Sequence, residues 1–452
     1  MRRARFVGSL AALAASLATA PQRALAQARP TAPSTATAPS TASTPSTPSK
    51  PSTPSRPVKL RVFAGGANQR PDLMRLLFAE YSRQHPHVSI EAESGGATSD
   101  LQRQYLSTVL NARDPAIDIY LIDIVNPAQY FGAGWLEPLN AYLGPPEQVM
   151  KDYLPAYQRS NVIGGQIAAL PAFADAMLMY YRRDLLDKHG VPLPRTWGEL
   201  ATAARRVLDA ERDPALQGLS IQGAPIEGAV CTFLLPYWSQ GFEVSDAAGR
   251  LTLNREAAAR GLQQWLSLVD AGVVKRNVAE VKTPDTVNEF KAGKVVFGIG
   301  WGFAWDRFAS DPDSRVRGKV GVMPVPAMAG GRSVTCLGGW QWAVSAFSRH
   351  KAEAAQLVKF LSSRPSSRML ATRGALLPHT LDIYTDPEVL AAVPWFRDAA
   401  AVIEGGRSRP ASADYGQVSD AIRTTTSAVL ARTKTPEQGV ATIASRLARV
   451  MR

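Results

Sequence analysis

The sequence predicts an α/β protein of two lobes. Three observations carry that prediction: a β-α-β-α-β order over residues 58–122, a second series of strands and helices over residues 177–344, and a length of 452 residues, enough for two or three cores.

In the first series, Val58-Lys-Leu-Arg-Val-Phe63 alternates and reads as a strand ended by Gly65-Gly66. Leu73, Leu76, Leu77 and Tyr81 fall at helical spacing between Asp72 and Gln84. Val88–Ala92 is a second strand and Leu101–Leu110 a second helix; Ile117–Ile122 is an apolar run suited to a buried parallel strand. Ligands of such doubly wound sheets lie beyond the carboxyl ends of the strands, which directs attention to Gly65–Arg70, Ser94–Thr98 and Asp123–Asn126. The second series places strands at 177–181, 294–299, 320–324 and 337–344 and helices at 197–210 and 257–271. No repeat of solenoid or propeller length interrupts them.

Ahead of this body, Arg2, Arg3 and Arg5, the apolar stretch Phe6–Ala20 and the cleavage site Ala24-Leu25-Ala26 read as an export signal over residues 1–26. No cysteine lies near the cleavage point, so the mature protein is expected to be soluble in the periplasm and not a lipoprotein. Residues 27–57 are nearly all Ala, Pro, Ser and Thr and read as an extended tether without a core. The formal charge of +13 is largely a property of this leader, which carries seven basic residues and no acidic one; 44 basic against 38 acidic residues remain. That balance, with no basic stripe interleaved with aromatics, argues against nucleic acid. Two cysteines and five histidines leave little for metal or histidine chemistry, and H-E-x-x-H, G-x-S-x-G and G-x-x-x-x-G-K-[ST] are missing, so neither an enzyme nor a cofactor is expected.

Segments spread over the body resemble the sugar-binding proteins of ABC importers, most closely the trehalose/maltose-binding group. They are Asp118–Asp123, Ala133–Leu139, Ala169–Pro171, Tyr180–Leu185, Pro194–Leu200, Glu227–Cys231, Phe297–Trp305, Leu337–Trp340 and Arg409-Pro410. The resemblance implies the type II periplasmic-binding-protein fold: two α/β lobes, joined by three hinge crossings near residues 173, 337 and 361–378, that close on a sugar in the cleft between them. Lobe one would hold 58–173 and 338–370, lobe two 174–337 and 371–452. It also implies a monomer that delivers a disaccharide or oligosaccharide to a permease with its cytoplasmic ATPase. A sensor kinase or chemoreceptor reading the same closed form is the alternative output. A glycoside hydrolase using Asp123 and Asp175 is the enzymatic rival.

A sugar site needs carboxylate acceptors, charged donors and aromatic platforms. The resemblance assigns hydroxyl-accepting roles to Asp123 and Asp175, ring contacts to Trp301 and Phe303, and a reaching cation to Arg409, with Arg407 nearby leaving the register open. Trp301, Phe303 and Trp305 alternate, which on an extended segment puts them on one face, and glycines 298, 300 and 302 would leave their rings uncovered, although Trp305 itself reads as core. Trp340 follows Gly338-Gly339, where backbone can approach a ligand closely. Three positions depart from the family pattern. Arg70 stands in place of an acidic residue, and Phe173 and Phe303 in place of tyrosines, so the polar lining differs from that of a trehalose or maltose site and a more acidic or less hydroxylated ligand enters as an alternative. Cys231 and Cys336 could pair in an oxidising compartment, a question that spacing alone leaves open.

Overall fold

The computed structural model describes residues 56–246 and 250–450. The export signal, and all but the last two residues of the tether, lie outside the described residues. The described chain belongs to one compact unit.

The first series forms as its periodicity dictates. Strand β1 (Val58–Phe63), helix α1 (Pro71–Gln84), β2 (Val88–Glu93), α2 (Ser99–Asn111) and β3 (Ile119–Asp123) follow in order, with β1 parallel to both β2 and β3. Alternate residues serve the two faces. Leu60, Val62, Ile119 and Leu121 join a core with Leu73, Met74, Leu77 and Phe78 of α1, whereas Phe63, Tyr120 and Ile122 join another with Leu106 and Leu110 of α2. Leu76, expected on the apolar stripe of α1, is 44% exposed; Met74 and Phe78 are buried instead, so the stripe is rotated around the helix.

Next comes β4 (Leu170–Arg182), a strand of thirteen residues, followed by α3 (Trp197–Glu211), β5 (Gln217–Ser220), α4 (Glu227–Ser239) and α5 (Arg255–Asp270). Then come α6 (Thr283–Lys291), β6 (Val295–Trp301), α7 (Ala304–Ser310), β7 (Val320–Met323) and β8 (Cys336–Val344). The C-terminal part holds α8 (Lys351–Leu361), α9 (Arg364–Gly374), the short β9 (Arg407–Ser408), α10 (Tyr415–Leu430) and α11 (Pro436–Val450). Among the described residues the main sheet runs β2-β1-β3-β8-β4-β6-β5, with β9 beside β8 and β7 beside β4.

One long strand, β4, runs through both halves of this sheet. The first half of β4 pairs with β8 through Leu170–Ala176, and its second half pairs with β6 and β7 through Met177–Arg182. The segment after α9 touches the middle of β4, the Leu377 carbonyl accepting from the Ala174 amide at 2.8 Å. The helix α4, absent from the sequence reading, is buried along its whole length and packs with α5 and α10 around Trp197, Trp238 and Trp265. Its periodicity is invisible because both of its faces are apolar. No described helix is long and apolar enough to cross a membrane.

Candidate ligand-binding site

The site forms where β3, β4, β6 and β8 meet, and strand register alone gathers much of it. Asp123 ends β3 opposite Trp340 of β8, and Trp340 faces Phe173 of β4 on its other side. Two positions along, Gly338 pairs with Asp175, and Trp301 closes β6 opposite Met177. The two glycines of β8 are needed for different reasons. At Gly339 φ is +115°, and a Cβ would lie 2.7 Å from the Phe173 carbonyl oxygen; at Gly338 it would lie 2.6 Å from Cζ3 of Trp301, so the bare backbone lets the indole lie against it. The buried Tyr157 hydroxyl ties the crossing strands together, donating to the Gly338 carbonyl at 2.7 Å and accepting from the Asp175 amide at 3.3 Å.

Arg409 sits at the centre with a side chain only 1% exposed. It donates through Nη2 to Asp123 Oδ1 and through Nη1 to Glu227 Oε1, both at 2.8 Å, and its guanidinium carbon stands 6.0 Å from the centroid of the Trp301 ring. Arg407, the other candidate in register, pairs instead with Glu243. Asp123 also accepts from Ser99 Oγ at 2.7 Å, and Glu227 from Ser419 Oγ at 2.6 Å and from the Tyr415 hydroxyl. Burial alone would raise the pKa of Glu227, but the charges of Arg409 and Arg103 and the hydroxyl donors outweigh it and hold it below the ordinary carboxylate value.

Asp175 shows the opposite balance. Burial pushes it up to about 7, against the pull of the Ala176 and Gly302 amides, which donate to Oδ1 at 2.8 and 2.7 Å. Asp100 is also raised, by burial and by the Glu227 charge, while its Oδ2 accepts from the Glu227 amide at 2.8 Å. The cavity among these groups offers about 70 Å³ to water-sized molecules. Among the described residues no group of three or more His, Cys, Asp and Glu side chains is placed to hold a metal ion.

Of the residues singled out in the sequence, Asp123, Asp175, Trp301, Phe303, Gly338, Trp340 and Arg409 line this one cavity. Phe173 and Arg70 do not. Phe173 is 2% exposed and packs beneath the site with Trp340. Arg70 lies at the rim with a left-handed backbone (φ 55°), its guanidinium bound to Asp72 at 2.9 Å and to Asp306 at 2.5 Å. The shared face expected for Trp301, Phe303 and Trp305 does not form, because β6 ends at Trp301 and α7 begins at Ala304; Trp305 turns away onto Trp395. The glycines between them serve packing. Gly298 and Gly300 admit the rings of Phe290 and Tyr180, and Gly302 donates its amide to Asp175.

The sequence reading missed Glu227, Ser99, Asp100 and Thr283 as lining residues. The lone Glu that opens the apolar stretch Glu227–Ser239 was the available signal for one of them. Cys231 and Cys336 are unbonded in the structure and both fully buried in one core, with Sγ atoms 3.0 Å apart.

Two α/β halves with facing carboxylates and indoles gathered where they meet make a site suited to a polar solute. The match to known sequences makes this specific: residues 66–366 fit the profile of the bacterial extracellular solute-binding proteins, and the chain belongs to that family, whose members bind solutes for ABC transporters and do not transform them. A probable ABC transporter-binding protein of Deinococcus radiodurans is 32% identical over 372 residues, covering 80% of this chain and 86% of that protein. The mannitol-binding protein of Pseudomonas aeruginosa is 23% identical over 335 residues, 72% of this chain and 74% of its own length. Among solved structures, maltose-bound T. maritima MalE3 superposes with a TM-score of 0.80 at 32% identity, covering 86% of this chain and 99% of that one.

Proposed function

We propose that this protein captures a neutral polyhydroxylated ligand, a sugar of one or a few rings, and delivers it from the periplasm as a monomer to an ABC permease with its cytoplasmic ATPase. The observation that carries this reading is the pairing of Asp123 with Trp340 across two strands, facing Asp175 and Trp301, which combines hydroxyl acceptors with apolar platforms for C–H faces. The maltose-bound and mannitol-binding relatives support the ligand class.

Lining charge supports a neutral ligand. Four carboxylates (Asp100, Asp123, Asp175 and Glu227) line the cavity with one guanidinium, and Arg70, the cation expected to favour an acidic ligand, is engaged by Asp72 and Asp306. The lobes part to admit the ligand, which then shifts the population toward a closed form by contacts with both walls. In the open form Asp123 loses its Arg409 partner and is free to accept hydroxyl protons.

Calorimetric titration of the protein with maltose, trehalose, mannitol and glucuronate tests the reading. Saturable binding of a neutral member with glucuronate silent is the expected result. Binding of glucuronate alone, or of none of the four, would overturn it.

A further inference from the structure

Cys231 and Cys336 are 105 positions apart in sequence, yet their Sγ atoms lie 3.0 Å from each other, inside the roughly 3.5–4.0 Å at which nonbonded heavy atoms settle. Both side chains are fully buried, in a protein of an extracellular family, where cysteines meet oxidants before folding seals them away. Their neighbours in sequence are groups of the site. Cys231 lies one helical turn beyond Glu227 on the same face of α4, and Cys336 opens β8, two and four positions before Gly338 and Trp340.

We infer that Cys231 and Cys336 form a disulfide in the exported protein, one that fixes the helix bearing Glu227 to the strand bearing Gly338 and Trp340. Two S–H bonds break and one S–S bond forms. The two electrons and two protons pass to the disulfide of an exocytoplasmic thiol oxidase, which leaves as a dithiol. The sulfurs need approach by only about 1 Å to reach bonding distance. Burial then protects the bond. It also pushes the Cys231 thiol well above its ordinary pKa, so a pair left reduced at folding is a poor nucleophile and stays reduced. The inference that the crosslink orders the ligand cleft rests on the proposed site; its existence does not.

The test is alkylation of the full chain recovered from the exocytoplasmic fraction, quenched and unfolded in guanidinium with iodoacetamide, then weighed. No alkylation before reduction and two adducts after it are expected; two adducts without reduction would overturn the bond. Hydrogen exchange compares native protein with protein reduced while unfolded and then refolded. Amides of residues 227–231 and 336–340 are expected to exchange faster in the reduced form, and a Cys231→Ser variant should match it with or without dithiothreitol. Unchanged exchange in both segments would overturn the coupling to the cleft while leaving the alkylation result, and the ligand titration, to stand separately.

Discussion

Two arginines in this molecule each stand between two carboxylates, and the difference that governs their ion pairs is access to water. Arg409 bridges Asp123 and Glu227 with side chains 1%, 9% and 7% exposed; Arg70 bridges Asp306 and Asp72 with side chains 17%, 20% and 58% exposed. Each connects distant parts of the chain, Arg409 joining the end of β3 to the start of α4 and Arg70 joining the start of α1 to α7. In the buried cluster every partner has given up hydration, so each ion depends on the others. At the rim water can replace a lost partner, and the same geometry contributes little. The buried cluster can therefore act as part of a binding site, where an incoming hydroxyl competes with a protein group for a carboxylate. The rim cluster can only bias closure.

The largest expected effect follows from removing the buried cation. Arg409→Ala leaves Asp123 and Glu227 without their shared counter-charge, and destabilisation of about 3–5 kcal/mol is expected from urea unfolding, as for other buried pairs broken on one side. A loss below about 1 kcal/mol would show that Ser99, Ser419 and Tyr415 suffice to hold the two acids, and the contrast with the rim would collapse.

Next come the platforms. Trp301→Ala and Trp340→Ala should each weaken binding of the captured sugar by about 2–4 kcal/mol in calorimetry, the usual cost of truncating a buried aromatic anchor, with far-ultraviolet dichroism unchanged. Affinity unchanged in both variants would place the ligand elsewhere.

Asp175 sharpens the comparison in a different way, because it has no cationic partner at hydrogen-bonding distance and burial sets its pKa. A carboxyl raised in the folded state favours folding below its ordinary range, and that contribution is lost as pH rises toward about 7. The melting temperature of Asp175→Asn should therefore fall less than that of the native protein over this interval, since Asn keeps an acceptor for the Ala176 and Gly302 amides and does not ionise. Parallel melting curves across the interval would show that Asp175 is ionised throughout.

Much of this site was legible in sequence because strand ends are legible. Alternation and apolar runs located β1, β2 and β3, the carboxyl-edge rule then pointed to segments that contain Asn68, Gln69, Thr98 and Asp123, and all four line the cavity. What stayed hidden depends on contacts between distant segments. Arg70 reads as a cleft residue by position, and only the fold shows Asp306, 236 positions away, occupying it. The alternation of Trp301, Phe303 and Trp305 has a strand's period but spans a strand end and a helix start, so period alone misassigned the face. Glu227 was hidden because helix α4 is apolar all round, which removes the moment that would have shown a helix there.

The smallest expected effect separates charge from backbone at the rim. Arg70→Ala deletes both ion pairs but keeps a non-glycine residue at φ 55°, whereas Arg70→Gly deletes the same pairs and relieves that conformation. The ion pairs should contribute less than about 1 kcal/mol and fade in high salt. A non-glycine residue in the left-handed region carries a penalty of about 1–2 kcal/mol, partly offset for glycine by its greater freedom when unfolded. Arg70→Gly should therefore be at least as stable as Arg70→Ala in urea, with the gap between the two independent of salt while each one's distance from the native protein shrinks as salt is added. A gap that closes in salt would mean that the alanine variant loses electrostatic energy which the glycine variant does not, and the rim would then resemble the buried cluster more closely than its exposure allows.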